Sequence, residues 1–160
     1  MSPPAPPSIA RIVAAGAVAA AISGVPSTIW ALLTGGDPLA AARAAGTLVP
    51  GRRARPGLVA GAVAHVAVST VWTAALGLTA QRVRVGAISG AAVGLGIAVL
   101  DLEVVGRRYP AIAVLPRPPQ WADHVAFGAL LGTMLRPRRP LGPPPIRSPH
   151  EGFPGGTDPC

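Results

Sequence analysis

The chain has no lysine, no asparagine, a single cysteine and only six carboxylates in 160 residues. Without lysine there is no Walker A phosphate loop. There is also no G-x-G-x-x-G following a strand, no G-x-S-x-G and no H-E-x-x-H helix. The one cysteine, Cys160, excludes an internal disulfide and a cysteine-based zinc site. Charge is scarce as well: 12% of residues are charged, where a soluble domain of this length carries about 25%. No soluble-enzyme signature survives these absences, and no cofactor is expected.

What the chain has in quantity is apolar surface, arginine, glycine and proline. Half of its residues are hydrophobic and its mean hydropathy is +0.48, so water is not its expected solvent. The net charge of +8 rests entirely on arginine. A basic chain invites a nucleic-acid reading when its arginines form a patch beside aromatics. Here they stand mostly between apolar runs, as in membrane loops that meet anionic headgroups, and nucleic acid is not an expected partner. Abundant Ala, Gly and Pro with no Lys or Asn suggest a GC-rich bacterial genome, and hence a bacterial cytoplasmic membrane.

The apolar runs give the fold class: an all-α integral membrane bundle of about four transmembrane helices, with spans expected over 9–33, 57–79, 85–105 and 121–135. Each crossing takes roughly 20 residues. The first run is interrupted by Gly24 and Pro26, and a proline inside a span requires neighbouring protein to satisfy the carbonyl it frees. A cleaved signal peptide describes this run less well, because the preceding segment is nearly uncharged and the run exceeds the usual apolar region. The fourth run is the short one. From Trp121 to Leu135 it reaches roughly 22 Å, against a hydrocarbon core of about 30 Å. It must start earlier, sit in a thinned bilayer or fail to cross.

Between the spans, Asp37 and Pro38 read as a helix N-cap and first-turn proline, opening an Ala-rich connecting or interfacial segment. "PGRRARP" at 50–56 is a basic turn. "YPAIAVLPRPPQ" at 109–120 is too broken by proline for an ordinary helix and reads as an interfacial or re-entrant loop. Residues 1–8 and 136–160 are Pro-rich, and both are expected to be disordered. With four crossings the arginines divide seven against seven between the two faces, so the positive-inside rule assigns no orientation.

Small residues recur at intervals of four in every run. Gly16, Ala20 and Gly24 fall in register in the first; Gly86, Gly90 and Gly94 in the third; Gly128 and Gly132 in the fourth. Such rows let helix backbones approach closely where lipid removes the hydrophobic drive for association. They fit packing within the chain, and also contact with a second copy or a membrane-complex partner. In the second run the row becomes polar: Gly57, Gly61, His65, Ser69, Thr73, Gly77, with Trp72 beside it. His65 is too short to snorkel from its depth. An ionisable group in a span marks either a satisfied helix contact or a proton or ligand site.

Topology places the start of the second span, the end of the third and the start of the fourth on one face. His65, Ser69, Asp101 and His124 therefore form a candidate intramembrane polar cluster, with Asp101 continuing the glycine face of its helix. Glu103, two residues on, points elsewhere and is expected to anchor near Arg107 and Arg108. The spacing supports no metal site and no catalytic set. Two functions fit these features. One is a non-enzymatic packing or accessory component; the other is a small transporter or proton-linked carrier using the His/Asp cluster.

Overall fold

The computed structural model describes residues 6–137, and every regular element among them is helical. Helix α1 (Ile9–Ser23) is opened by Ser8, whose hydroxyl accepts from the Arg11 amide at 3.3 Å. It is followed after Gly24 by α2 (Val25–Leu33), with Pro26 in the first turn. The pair forms one broken rod. At its far end Gly35 takes a φ of 70°, which lets the Gly36 amide turn back to the Ala31 carbonyl at 2.7 Å. That is a Schellman-type stop, and glycine adopts its left-handed residue without steric cost.

A short helix, α3 (Ala40–Ala45), leads through a single 3₁₀ turn at Gly46–Leu48 and the basic loop into α4 (Leu58–Ala80). Asp37 accepts from the Leu39 amide at 2.9 Å and also pairs with Arg43, so it organises the entry to α3 as a capping residue does. Helix α5 (Ala87–Ala98) continues as a π-helical segment, Val99–Val105, and ends in a 3₁₀ turn at Gly106–Arg108. One helical turn, α6 (Pro110–Ala113), and then α7 (Arg117–Leu135) complete the described chain.

Among the described residues, three helices are long and apolar enough to cross a membrane: Ile9–Leu33, Leu58–Ala80 and Ala87–Arg108. Their bounds lie within a turn of those expected from the sequence. Large apolar side chains cover their outer faces, with Val59 82% and Ile88 88% exposed. Such an exterior is suited to lipid and costly in water. The expected four-span bundle thus reduces to three apolar spans plus α7. That helix carries Arg117, Gln120, Asp123 and His124 and is not apolar enough to join them.

Helix α7 also starts four residues before the expected Trp121. Pro118 and Pro119 fall in its first turn, where the missing amide hydrogens have no intrahelical partner to lose. Its 19 residues give a length of about 28 Å. Arg11 ties the start of α1 to the end of α7 by donating to the carbonyls of Met134, at 2.9 Å, and Arg136, at 2.7 Å. At the opposite end Arg117 reaches the Leu102 carbonyl at 3.4 Å. Helix α7 therefore runs the length of the bundle, antiparallel to the third span. The expected disordered tail lies, from residue 138 onward, outside the described residues.

The seam between α5 and α7 is backbone on backbone. A Cβ built at Gly90 would overlap the Gly128 carbonyl oxygen, and one at Gly128 would overlap that of Gly90. Gly94 meets the His124 carbonyl and Gly132 the Gly86 carbonyl in the same way. Elsewhere Gly16 admits the Thr73 side chain, and Gly61 admits the Ala42 carbonyl of α3. Gly57 contributes through its own carbonyl, which lies against Gly46. Gly24 differs, because nothing lies within 4 Å of its Cβ position. It is a joint between α1 and α2, not a packing surface.

Replacing Gly90 or Gly128 by Ala should therefore force the seam apart and destabilise the bundle by about 1–3 kcal/mol. Gly96→Ala, where the Cβ position is open, should be neutral or slightly stabilising. Thermal unfolding of the detergent-solubilised protein distinguishes these outcomes, and equal effects at Gly90 and Gly96 would contradict the seam.

Candidate functional site

The break in the first span leaves backbone groups that must be satisfied. Pro26 has no amide hydrogen, so the Ile22 carbonyl loses its normal helical donor. The Gly24 amide turns to that carbonyl and leaves the Ala20 carbonyl, which it would bond in an unbroken helix. His65 fills the vacancy from α4: its Nε2 donates to the Ala20 carbonyl at 3.0 Å, and the Ser23 hydroxyl adds a weaker bond at 3.3 Å. In this arrangement Nε2 carries the proton.

The other side of the break is closed from α7. The first amides of α2 have no partner within the helix, and Asp123 Oδ1 accepts from the Ser27 amide at 2.9 Å. A carboxylate at this point also meets the positive end of the α2 dipole. The hydroxyls of Ser27 and Thr28 return to the Gly24 carbonyl at 3.2 and 2.8 Å. The discontinuity is thus closed by one side chain from each of two other helices.

Beside it lies a second set of contacts. Trp72 Nε1 donates to Asp101 Oδ2 at 3.2 Å, and His124 Nε2 stands 3.6 Å from the same oxygen. The other ring nitrogen, Nδ1, donates to the Gln120 carbonyl one turn back on α7, at 2.8 Å. Asp101 and His124 are each about three-quarters enclosed, with 24% and 22% of their side chains exposed. The π-helical segment has a direct bearing here. The Gly106 amide bonds the Asp101 carbonyl, a five-residue step. The backbone widens where Asp101 turns toward α4 and α7. Leu102 is buried, and Glu103, with 23% of its side chain exposed, accepts from Arg107 at one carboxylate oxygen at 3.0 and 2.7 Å. Arg117 stands 3.7 Å from the other.

Counting residues gives four of these groups, Trp72 apart, a similar distance from the loop end of their own helices. His65 is seven residues from the start of α4, Asp101 is seven from Arg108, and Asp123 and His124 are six and seven from Arg117. At 1.5 Å per residue each lies about 10 Å inside the same end of the bundle. They form a layer, although not one continuous network. Asp101 and His124 come together with Trp72, while His65 turns to the Ala20 carbonyl. Ser69, half-buried one turn beyond His65, takes part in none of these contacts.

Asp123 and Trp72 carry roles that the sequence did not assign. Asp123 adjoins His124 and Trp72 borders the polar stripe, but only the helix pairing reveals their partners. Among the described residues, no group of three His, Cys, Asp or Glu side chains could hold a metal ion. Two surface clefts, of about 110 and 500 Å³, are lined by neither His65, Asp101 nor His124. The smaller reaches the layer's edge through Ser27 and Gln120. No protein-family model, curated protein or solved structure matches the chain.

If His65 serves the broken helix, His65→Ala should destabilise the protein by about 0.6–1.7 kcal/mol, the range of hydrogen bonds between membrane helices. The loss should shrink in a Pro26→Ala background, where the Gly24 amide can return to Ala20. A double-mutant cycle on thermal stability reads this coupling, and strict additivity would show that His65 acts elsewhere.

Proposed function

We propose that this chain is a four-crossing protein of a bacterial cytoplasmic membrane, acting as a non-enzymatic packing or accessory component. The observation that carries the reading is the closure of its interior polar groups on partners within the chain. No buried side-chain nitrogen or oxygen among the described residues lacks a hydrogen-bond partner. The groups of the polar layer brace a broken helix and join three helices, which is structural work. The apolar outer faces then offer contact to lipid, to a second copy or to a larger membrane complex. In this proposal α7 is the fourth crossing. Its length suits a bilayer, and its polar first half is covered by α2 and the third span.

A second reading, a small transporter or proton-linked carrier, draws on a different observation. The Asp101 carboxylate and the His124 ring stand 3.6 Å apart at mid-enclosure, and ionisable pairs at membrane depth commonly mark proton or ion pathways. In this version Asp101 and His124 carry the function and His65 only positions the first span.

Two measurements separate the readings. Photo-crosslinkers placed at the exposed Val63 and Ile88 should trap a defined neighbour in native membranes if the chain is a packing component. Recovery as an uncrosslinked monomer from both positions would remove that reading. Proton flux into liposomes containing the purified protein should be no higher than into empty liposomes. Flux that disappears in both Asp101→Asn and His124→Ala would establish the carrier in its place.

A further inference from the structure

The loop end of the bundle carries an excess of positive charge over the carboxylates placed there among the described residues. Arg43, Arg52, Arg53, Arg55, Arg107, Arg108 and Arg117 meet there, and Asp37 and Glu103 are the carboxylates among them. Asp37 pairs with Arg43, and Glu103 with Arg107 and Arg117. The remaining arginines face no carboxylate partner among the described residues. One of them is held in place. Arg53 donates through Nε, at 3.0 Å, and Nη2 to the Arg108 carbonyl, and its guanidinium carbon lies 5.4 Å from the centre of the Tyr109 ring. A guanidinium has five N–H groups. Two are engaged by that carbonyl, and the rest remain, fixed in direction, for an oxyanion.

Next to this arginine the surface is apolar. A groove of about 500 Å³ is formed by Arg53, Ala54, Pro56, Pro110 and Ala111. Pro56 stands two residues before α4 and Pro110 opens the turn after the third span. The groove therefore sits where the chain leaves its apolar segments, at the level a membrane interface would occupy. It joins a fixed cation to a wall of proline rings and methyl groups, and the sequence neighbours Arg52, Arg55 and Arg108 are exposed.

We infer that this groove binds an anionic phospholipid, its phosphate on the Arg53 guanidinium and the start of an acyl chain on Pro56, Pro110 and Ala111. Charge complementarity selects the occupant. A zwitterionic headgroup would leave the arginine excess unneutralised, while a free phosphate would leave the apolar wall empty. The inference rests on the membrane location of the chain and not on its role as packing component or carrier.

The test uses the full chain purified in detergent, with phosphatidylglycerol or phosphatidylcholine of matched acyl chains added, and bound lipid read by native mass spectrometry. Phosphatidylglycerol should be retained in preference to phosphatidylcholine. Arg53→Ala should lower retention about fivefold, the equivalent of the roughly 1 kcal/mol that one arginine contributes at an anionic surface. Ala54→Trp, at an exposed position, should fill the groove and lower retention without touching the guanidinium, which keeps the test decisive if Arg53→Ala does not fold. The double variant Arg82→Ala, Arg84→Ala, at the opposite end, should retain lipid as the parent does. Equal retention of the two lipids, unaltered retention in Ala54→Trp, an equal loss in the Arg82, Arg84 variant, or displacement of the lipid by inorganic phosphate would each overturn the inference. A chain that stayed monomeric and soluble without detergent would instead remove the membrane location itself.

Discussion

The close approach of α5 and α7 is the contact from which the rest of the arrangement follows. In a bilayer, where lipid would provide no hydrophobic drive between helices, association would depend on how near two backbones can come. Gly90 and Gly94 on one helix, and Gly128 and Gly132 on the other, remove the side chains that would hold them apart. Once the seam is set, its antiparallel register fixes the first half of α7. Arg117 is brought to the Leu102 carbonyl, His124 to Asp101 and Asp123 to the start of α2. A shift of one helical turn along the seam would move each of these groups by about 5.4 Å, beyond hydrogen-bond reach.

The same register explains how the first span tolerates its break. An interruption by Gly24 and Pro26 frees backbone groups that hydrocarbon cannot satisfy. His65 and Asp123 answer from opposite sides, one donating to a carbonyl and the other accepting from an amide. Their chemistry is complementary to the two ends of a helix: a ring N–H for the carbonyl end and a carboxylate for the amide end. Neither side chain alone would suffice. The pairing makes α1, α2, α4 and α7 a single mechanical unit, although the chain connects them through loops.

Three apolar helices were legible in the sequence because their runs are long and nearly free of charge. The start of α7 was not, because Pro118 and Pro119 read as breakers in a one-dimensional scan and as ordinary first-turn residues once the helix start is known. The glycine rows revealed faces that could pack closely, but a row does not name its partner. Gly61 meets the connecting segment through Ala42, and Gly24 meets nothing. The depth shared by His65, Asp101 and His124 follows from topology alone. Which of them touch depends on helix rotation, and that separated His65 from the other two. The π-helical widening at Val99–Val105 has no sequence signature at all, since each of its residues suits an α-helix equally well.

The position of the polar layer also bears on what it can do. It lies about 10 Å inside the loop end, where a charged group costs less than at the centre of a bilayer. On the loop side the packing opens into the cleft beside Ser27 and Gln120. On the other side the seam continues through Gly90, Gly128 and Gly132, and Leu131 and Leu135 are almost fully buried against it. The cleft thus approaches the layer from the loop side, while His65 is itself exposed. An ion or proton that entered from the loop side would meet two backbones already in contact, and passage beyond would require α5 and α7 to separate. Separation would also withdraw His124 from Asp101 and Asp123 from the α2 amide, so any opening motion has to break the contacts that brace the first span. That coupling ties the polar layer to the stability of the first span.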